Sequence, residues 1–260
     1  MKSVLNPNLL ILFLFVCMIQ PQSISAQDNA PFGKHLFKGM VKDGLPYRLF
    51  RPVTEPGKTY PLVIFLHGSG ERGSDNEKQL SNGVFNFVTP ENQKTNPCFV
   101  LVPQCPEGVR WVNVSWAVKS VTQPDTISAP LQDVMDLISM LVKEIPADTS
   151  RLYLCGLSMG GFGTWDLITR YPSVFAAAVP VCGGGDCRQA ARIKDLPVWA
   201  FHGAKDDVVD PVLSRDMVAA IRKAGGLPGY TEYPHLNHGS WDAAFSDAEM
   251  MKWLFEQQKR

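Results

Sequence analysis

Short apolar runs and stretches of helical periodicity alternate along most of this chain. Continuous apolar runs, which are typical of strands covered on both faces of a sheet, occupy residues 61–66, 99–102, 151–155, 176–181 and 197–201. Residues 230–233 form the predicted last strand. Apolar residues recur at helical spacing over residues 131–142, 161–171, 212–224 and 247–258. This alternation predicts an α/β fold with a mostly parallel central sheet and helices on both of its faces.

The segment before this alternation predicts an antiparallel hairpin. Residues 39–41 and 47–50 are its predicted strands, and Asp-Gly at residues 43–44 is the turn signal between them. Residues 27–36 are polar and interrupted by Pro and Gly, so we expect them to pack loosely. Because no repeat, low-complexity tract or long linker interrupts the chain, residues 27–260 are predicted to form one domain.

The first residues have the layout of a signal peptide. A basic Lys2 precedes an apolar run at residues 9–19, and a stretch of small residues ends at Ala26. The run is short for a membrane span, so an uncleaved anchor is the weaker interpretation. A lipoprotein would use Cys17, but bulky Val16 stands where a small residue is needed. We expect residues 1–26 to be removed, leaving a secreted or periplasmic protein with no stable membrane insertion.

Composition narrows the possible partners. The 260 residues include 25 basic and 25 acidic side chains, a balance that offers no broad positive surface to nucleic acid. Export would permit disulfides, and Cys98 with Cys105, and Cys182 with Cys187, are close enough in sequence to pair. The alternative is that the cysteines, Cys155 included, are small buried apolar residues. No Cys-His spacing resembles a zinc site, and no metal is predicted.

One short motif carries the strongest chemical signal. Gly-Leu-Ser-Met-Gly at residues 156–160 directly follows a predicted strand and precedes a predicted helix. A serine on so sharp a turn takes a strained backbone conformation, and the flanking glycines let strand and helix pack around it. Ser158 is therefore the predicted nucleophile. The alternative is a glycine-rich turn with a structural role.

A serine hydroxyl needs a neighbouring base, and the chain offers five histidines. His35 lies near the start of the mature chain. His67 and His202 each end a predicted strand in a His-Gly pair, where shaping the backbone or supporting another residue is the expected role. His235 and His238 lie between the last predicted strand and the last helix. His238 is favoured over His235 because it lies deeper in that loop.

The histidine in turn needs a carboxylate to fix its tautomer and stabilise its charged form. This carboxylate should follow the strand at residues 197–201, where three aspartates are available. Spacing from the strand end favours Asp206, with Asp207 as its rival. Asp210 precedes Pro211 and is better placed to cap the following helix.

Acyl transfer also needs hydrogen-bond donors for the oxyanion. The amide that follows the nucleophile, that of Met159, is one predicted donor. His-Gly-Ser-Gly at residues 67–70 follows another predicted strand, and the Ser69 amide is the expected second donor. The alternative is that residues 67–70 are only a flexible turn.

Three segments resemble the α/β-hydrolase superfamily, and within it the exported bacterial carboxylesterases of the esterase and polyhydroxybutyrate-depolymerase-like group. They are residues 66–73, 156–161 and 237–242, and the resemblance extends from residue 40 to the end. It implies the α/β-hydrolase fold and hydrolysis of carboxylic esters, with no cofactor. Members of the group act on feruloyl esters, acetyl-xylan, phospholipids or peptides, so the resemblance names no substrate.

The resemblance also implies roles for individual residues. Through the pattern His-Gly-x-x-Asp-x-x-Val it supports Asp206 as the acid, and it assigns the base to His238, which completes a triad with Ser158. One departure concerns the loop around the base. Asn237 precedes and Gly239 follows the histidine, where the group often has Gly before it and Asn after it. The shape of that loop therefore stays open.

Two tryptophans are candidates for substrate contact. Trp111 and Trp116 lie in the loop after the fourth predicted strand, where their rings would stack on a sugar or phenolic group, or else cover the core. For Glu71 and Arg72 a structural role is expected. No long insertion precedes the final strands, so we expect an open site without a large lid, suited to small or polymer-linked esters.

Two other functions use the same fold. A serine peptidase would employ the same triad, but no propeller-like domain that would select peptides is evident in the sequence. A noncatalytic carbohydrate-binding relative would not need residues at all three triad positions and at the oxyanion loop. Ester hydrolysis is therefore the favoured prediction, with an ester as the only expected partner.

Overall fold

The computed structural model describes residues 31–259. Their strands form a single eight-stranded sheet. The strands are β1 (Phe32–Phe37), β2 (Leu45–Phe50), β3 (Tyr60–Leu66), β4 (Phe99–Pro103), β5 (Ala147–Leu157), β6 (Ala177–Val181), β7 (Trp199–Gly203) and β8 (Gly229–Tyr233). Their order is β1-β2-β4-β3-β5-β6-β7-β8. Strand β2 runs antiparallel to both of its neighbours, and all later pairs are parallel. The predicted signal peptide and Cys17 lie outside the described residues.

Helices cover both faces of the sheet, as predicted. They are α1 (Pro90–Thr95), α2 (Ala129–Glu144), α3 (Met159–Arg170), α4 (Val212–Lys223), α5 (Trp241–Phe245) and α6 (Ala248–Glu256). Alternate side chains of β3 point to opposite faces. Leu62 and Ile64 pack with α2, α3 and α4, whereas Val63 and Phe65 pack with α5 and α6. Within residues 31–259, no helix combines the length and the apolar character needed to cross a membrane.

Helix α2 illustrates how local sequence sets the bounds of an element. The side chain of Ser128 accepts a hydrogen bond from the Leu131 amide and caps the helix, and Pro130 occupies its first turn, where it displaces no helical hydrogen bond. The predicted apolar stripe is buried, and each such side chain contributes about 1.5–3 kcal/mol. The helix ends at Glu144, before Pro146.

The predicted hairpin is present, but its first strand lies earlier in the chain. Strand β1 begins at Phe32, inside the segment expected to pack loosely, and it pairs with β2 in antiparallel register. The ring of Phe32 is buried and packs against Phe50 and Phe85. The expectation of loose packing is therefore wrong from Phe32 onward.

Residues 39–41, which were predicted as a strand, lie in the connection between β1 and β2. The amides of Met40 and Val41 donate to the carboxylate of Asp133 in α2 instead of to a neighbouring strand. Gly44 has a φ of 87°, and its amide donates to the Val41 carbonyl at 2.8 Å, so a turn does form here, with Gly44 as its last residue and not as one of its two central residues.

The five cysteines of the described chain are all free thiols. Cys98 packs in the core beside α5 and α6, and Cys105 packs in the core on the opposite face of the sheet. Cys182 and Cys187 are divided between the same two cores. Neither predicted pair is therefore brought together by its proximity in sequence. The alternative holds instead: most of these cysteines are small buried apolar residues.

Candidate active site

Three strand ends bring the candidate catalytic residues together. Ser158 follows β5, Asp206 follows β7 and His238 follows β8, so all three lie at the edge of the sheet where its parallel strands end. There Ser158 Oγ lies 2.9 Å from His238 Nε2. His238 Nδ1 lies 2.8 Å from Asp206 Oδ2. The three side chains form one hydrogen-bonded chain.

The turn that carries Ser158 is shaped by backbone packing. Ser158 has φ 52° and ψ −118°, a conformation that costs a non-glycine residue about 1–3 kcal/mol. A Cβ added at Gly156 would lie 2.4 Å from the Gly160 carbonyl oxygen, and one added at Gly160 would lie 2.0 Å from that of Leu66. The Ser158 amide donates to the Val181 carbonyl at 2.9 Å. Strand and helix therefore meet so closely that only glycine fits on either side of the serine.

The rival residues on the same loops lie outside this chain of hydrogen bonds. His235 and Asp207 are both exposed. Asp210 accepts a hydrogen bond from the Val212 amide at the start of α4 and pairs with Lys119, so it has the predicted capping role.

Asp206 is buried and fully occupied by donors. Its Oδ1 accepts the amides of Val208 and Val209, each at 2.9 Å. Its Oδ2 faces His238 Nδ1 and also His202 Nε2, which is 3.2 Å away. Burial acts to raise the pKa of Asp206, but the hydrogen bonds from the two imidazoles and the two amides outweigh it and hold this pKa well below its usual range. The carboxylate therefore stays ionised beside His238.

The two segments that carry the predicted oxyanion donors lie next to Ser158. Met159 is the first residue of α3, so its amide has no acceptor within the helix. Gly68 and Ser69 follow β3, and a Cβ added at Gly68 would lie 3.7 Å from Ser158 Cβ. The backbone of this loop thus passes directly beside the serine.

Side chains hold the loop at Ser69 in place. Arg72 Nε donates to the Ser69 carbonyl at 2.8 Å, and the same guanidinium donates to the Val109 carbonyl at 3.2 Å. Glu71 does not pair with Arg72. Its Oε1 accepts the Asn82 side-chain amide at 3.0 Å, while its buried Oε2 has no hydrogen-bond partner among the described residues and lies 3.9 Å from His67 Nδ1. Burial raises the pKa of Glu71.

His67 has the structural role expected of it. Its ring is fully buried, Nε2 accepts the Cys105 amide at 2.9 Å, and Nδ1 lies 2.6 Å from the Gly68 carbonyl. Because Nε2 accepts and Nδ1 donates, the network requires a neutral ring. Burial lowers the pKa of His67 to about 4, which agrees with this assignment. His67 thus ties the end of β3 to the end of β4.

The prediction that Trp111 contacts substrate is wrong. Its ring is 0% exposed, its Nε1 donates to the His67 carbonyl at 3.0 Å, and its side chain packs against Gly163 of α3. The alternative, a ring that covers the core, describes Trp111. The sequence shows that a loop follows β4 but not how deeply each of its side chains is inserted.

Trp116, in contrast, is only partly buried, and it lines a cleft beside Asp206. The guanidinium of Arg110 lies 4.4 Å from the centre of its ring. Together with Asp206 and the exposed Val208, Trp116 lines an open cleft of about 460 Å³. Its ring is therefore in a position to contact a group bound next to the acid of the hydrogen-bonded chain.

One neighbour of His238 was not anticipated. Trp241 packs edge-on against His238, with ring centres 5.3 Å apart. It belongs to residues 237–242, the segment that also carries His238. Its position three residues after the histidine, at the start of α5, was the available signal, since residues three apart lie on one side of a helical turn.

The described residues include one group of potential metal ligands, and it overlaps this site. Cys182, Asp206 and His238 bring ligand atoms within 4.8 Å of one another. Asp206 and His238 are already hydrogen-bonded to each other, and burial raises the pKa of the Cys182 thiol. The chemistry of these groups therefore fits a proton relay better than metal coordination.

Comparisons with known proteins agree with this geometry. The sequence profile of the phospholipase/carboxylesterase family matches residues 52–252. The crystal structure of a thermostable esterase is 40% identical, with a TM-score of 0.80, over 88% of this chain and 64% of that one. A carboxylesterase of Arabidopsis thaliana is 26% identical over 197 residues, which are 68% of this chain and 82% of that protein.

A bifunctional acetylxylan esterase/xylanase of Neocallimastix patriciarum is 28% identical over 151 residues. The match covers 58% of this chain and only 20% of that protein. The chain thus spans a fifth of one relative and just under two thirds of the similar esterase structure. The family profile covers most of the chain, and the sheet order and the turn at Ser158 are those of its fold. This chain therefore belongs to the phospholipase/carboxylesterase family of α/β-hydrolases.

Proposed function

We propose that the protein is a serine esterase in which Ser158, His238 and Asp206 form a catalytic triad. The observation that carries this proposal is the unbroken hydrogen-bonded chain from Ser158 Oγ through the imidazole to an ionised, buried carboxylate. In a triad the carboxylate fixes the tautomer of the histidine, and the histidine removes the proton of the serine. Membership of a carboxylesterase family supports the same conclusion.

The geometry supports a two-step acyl transfer. His238 Nε2 takes the proton from Ser158 Oγ as this oxygen attacks the ester carbonyl, and Asp206 stabilises the resulting imidazolium. The amides of Met159 and Ser69 are proposed to donate to the carbonyl oxygen as it becomes negative. The intermediate then collapses, and the alcohol leaves with the proton from His238. A water molecule, deprotonated by the same nitrogen, attacks the acyl-enzyme and releases the acid and the serine.

Small acyl esters and acetyl or feruloyl esters linked to hemicellulose are the proposed substrates. The cleft beside Asp206 is open, and the partly buried ring of Trp116, which has Arg110 over one face, forms part of its wall, where it can contact a sugar or a phenolic ring. The name of the Neocallimastix relative, a bifunctional acetylxylan esterase/xylanase, includes an activity of this kind. We also propose that residues 1–26 direct export and that residues 27–260 form one catalytic domain.

Kinetics on a panel of substrates tests this function. Initial rates are measured on p-nitrophenyl acetate, butyrate and octanoate, methyl ferulate, acetylated xylan and a peptide anilide. We expect turnover of the short esters and loss of about 10⁴-fold or more in kcat for Ser158→Ala. Ser173→Ala, at an exposed serine after α3, is the matched control and should retain full activity. Dominant anilide cleavage would favour the peptidase, and absence of serine-dependent turnover would favour the binding protein.

A further inference from the structure

Two histidines share one oxygen of the triad acid. His202 is 0% exposed, and its Nε2 lies 3.2 Å from Asp206 Oδ2, the same oxygen that lies 2.8 Å from His238 Nδ1. The triad therefore has a second imidazole beside its carboxylate, in addition to the one that contacts the serine. The acyl-transfer steps proposed above do not use it.

The hydrogen bonds around His202 determine where its proton lies. Nε2 faces only acceptors, namely the carboxylate of Asp206 and the Val209 carbonyl at 3.0 Å, so this nitrogen carries a hydrogen. Nδ1 lies 2.8 Å from the hydroxyl of Ser214, which also lies 3.0 Å from the Gly183 carbonyl. The hydroxyl can donate to Nδ1 when the ring is neutral, or to Gly183 when it is charged. In either state the single hydrogen on Nε2 is shared between the Val209 carbonyl at 3.0 Å and Asp206 Oδ2 at 3.2 Å.

The two oxygens of Asp206 have separate environments. Oδ1 is held by the amides of Val208 and Val209, which fix the position of the carboxylate without titrating. Oδ2 is divided between the two imidazoles. His202 therefore affects mainly the negative charge of Oδ2 that faces His238. The position of the carboxylate is fixed mainly by the two amides at Oδ1.

We propose that His202 is a positioning residue that competes with His238 for Asp206 Oδ2 and thereby sets the pH range in which His238 is an active base. This inference rests on the proposed function, since it assigns a role within the same triad. The Nε2 hydrogen of His202, shared between Oδ2 and the Val209 carbonyl, weakens the support that the carboxylate gives to the imidazolium of His238. The neutral, active form of His238 then persists to lower pH.

Other titratable groups near the two histidines do not account for a fall in rate at low pH, which is the acid limb of the pH–rate profile. Burial raises the pKa of the Cys182 thiol, at the end of β6, far above the acid range. Glu232, on β8, is paired with Arg215, which lowers its pKa to about 2. His235 and Asp207 are exposed on the neighbouring loops. Among the described residues, only the two imidazoles lie within hydrogen-bond distance of Asp206 Oδ2.

The test compares His202→Leu with His202→Gln in full pH profiles of kcat/KM on p-nitrophenyl butyrate. Leucine removes the donor, so the whole carboxylate charge stabilises the imidazolium and the acid limb should move upward by about 0.5–1 pH unit. Glutamine restores an N–H at the place of Nε2, so its limb should stay close to that of the wild type. Rates on the alkaline plateau should fall by less than about tenfold in both variants, because the amides still hold Oδ1.

Ser214→Ala keeps the inference testable if His202→Leu does not fold. Without the hydroxyl, the neutral ring loses the donor that holds its hydrogen on Nε2, so the limb should move in the same direction by a smaller amount. An unmoved limb in folded His202→Leu, or equal shifts for leucine and glutamine, would overturn the role of His202. Activity that survives Ser158→Ala would instead overturn the triad itself, so the two failures are distinguishable.

Discussion

The proposed nucleophile and the proposed acid–base pair of this site are held in place by different forces. Ser158 stands on a turn with no side-chain cap, and its position follows from contacts between the backbones at Gly156, Gly160 and Leu66. Asp206 and His238 lie on loops and are positioned by hydrogen bonds from side chains and loop amides. Steric contacts of this kind do not depend on pH, whereas hydrogen bonds between ionisable groups do. Substitutions in the two regions should therefore have different effects, on activity in one region and on stability in the other.

The largest effect is expected in the hydrogen-bonded region. Asp206→Asn should lower kcat on p-nitrophenyl butyrate by about 10⁴-fold, because an amide nitrogen in place of Oδ2 would face two imidazole N–H groups and favour the wrong tautomer of His238. The fold should persist, since Oδ1 can still accept the two amides. Asp207→Asn, at an exposed aspartate one residue on, should stay within about twofold of the wild type. If Asp207→Asn were the variant that lost activity, Asp207 would be the acid.

A change in the sterically held region should affect folding first. Gly160→Ala would place a Cβ 2.0 Å from the Leu66 carbonyl oxygen, so the free energy of unfolding should fall by about 3 kcal/mol or more. Urea unfolding at several pH values should give nearly the same loss each time. Gly70→Ala is the control, because nothing lies within 4 Å of the added Cβ, and it should unfold within about 0.5 kcal/mol of the wild type. Equal stability of Gly160→Ala and wild type would contradict the steric account.

The shift expected for His202→Leu is the smallest of these effects and the one most specific to hydrogen bonding. It changes neither the turn at Ser158 nor the amides at Oδ1. A pH profile that moves while the alkaline plateau is largely kept would show that the acid–base pair can be tuned without disturbing the nucleophile.

Much of the fold could be predicted from the chain because its parallel strands are continuous apolar runs. Strands β3 to β8 and helices α2 to α4 lie within a few residues of the predicted positions. Strand β1 was missed because it is an edge strand in which only Phe32 is fully buried, so it lacks that signal. Its polar residues resemble those of a loosely packed terminus.

The features of the site likewise fall into two groups. Some could be predicted from the order of residues along the chain, and others depend on how deeply each side chain is buried in the fold. Ser158, Asp206 and His238 were identifiable because each follows a strand at the edge where parallel strands end. The burial of Trp111 and the separation of Cys98 from Cys105 depend on which face of the sheet each side chain joins. The sharing of Asp206 Oδ2 by His202 likewise depends on the fold of residues 204–209, which spacing alone does not give.

Covalent labelling tests the central claim, that Ser158 is the activated nucleophile, most directly. The mature protein is treated with a fluorophosphonate, and intact-mass and peptide mass spectrometry locate the adduct. We expect one adduct per chain, on Ser158, with labelling slowed strongly by Asp206→Asn and abolished by Ser158→Ala. An unlabelled Ser158 in a protein that still hydrolyses esters, or an adduct on another residue, would contradict the claim.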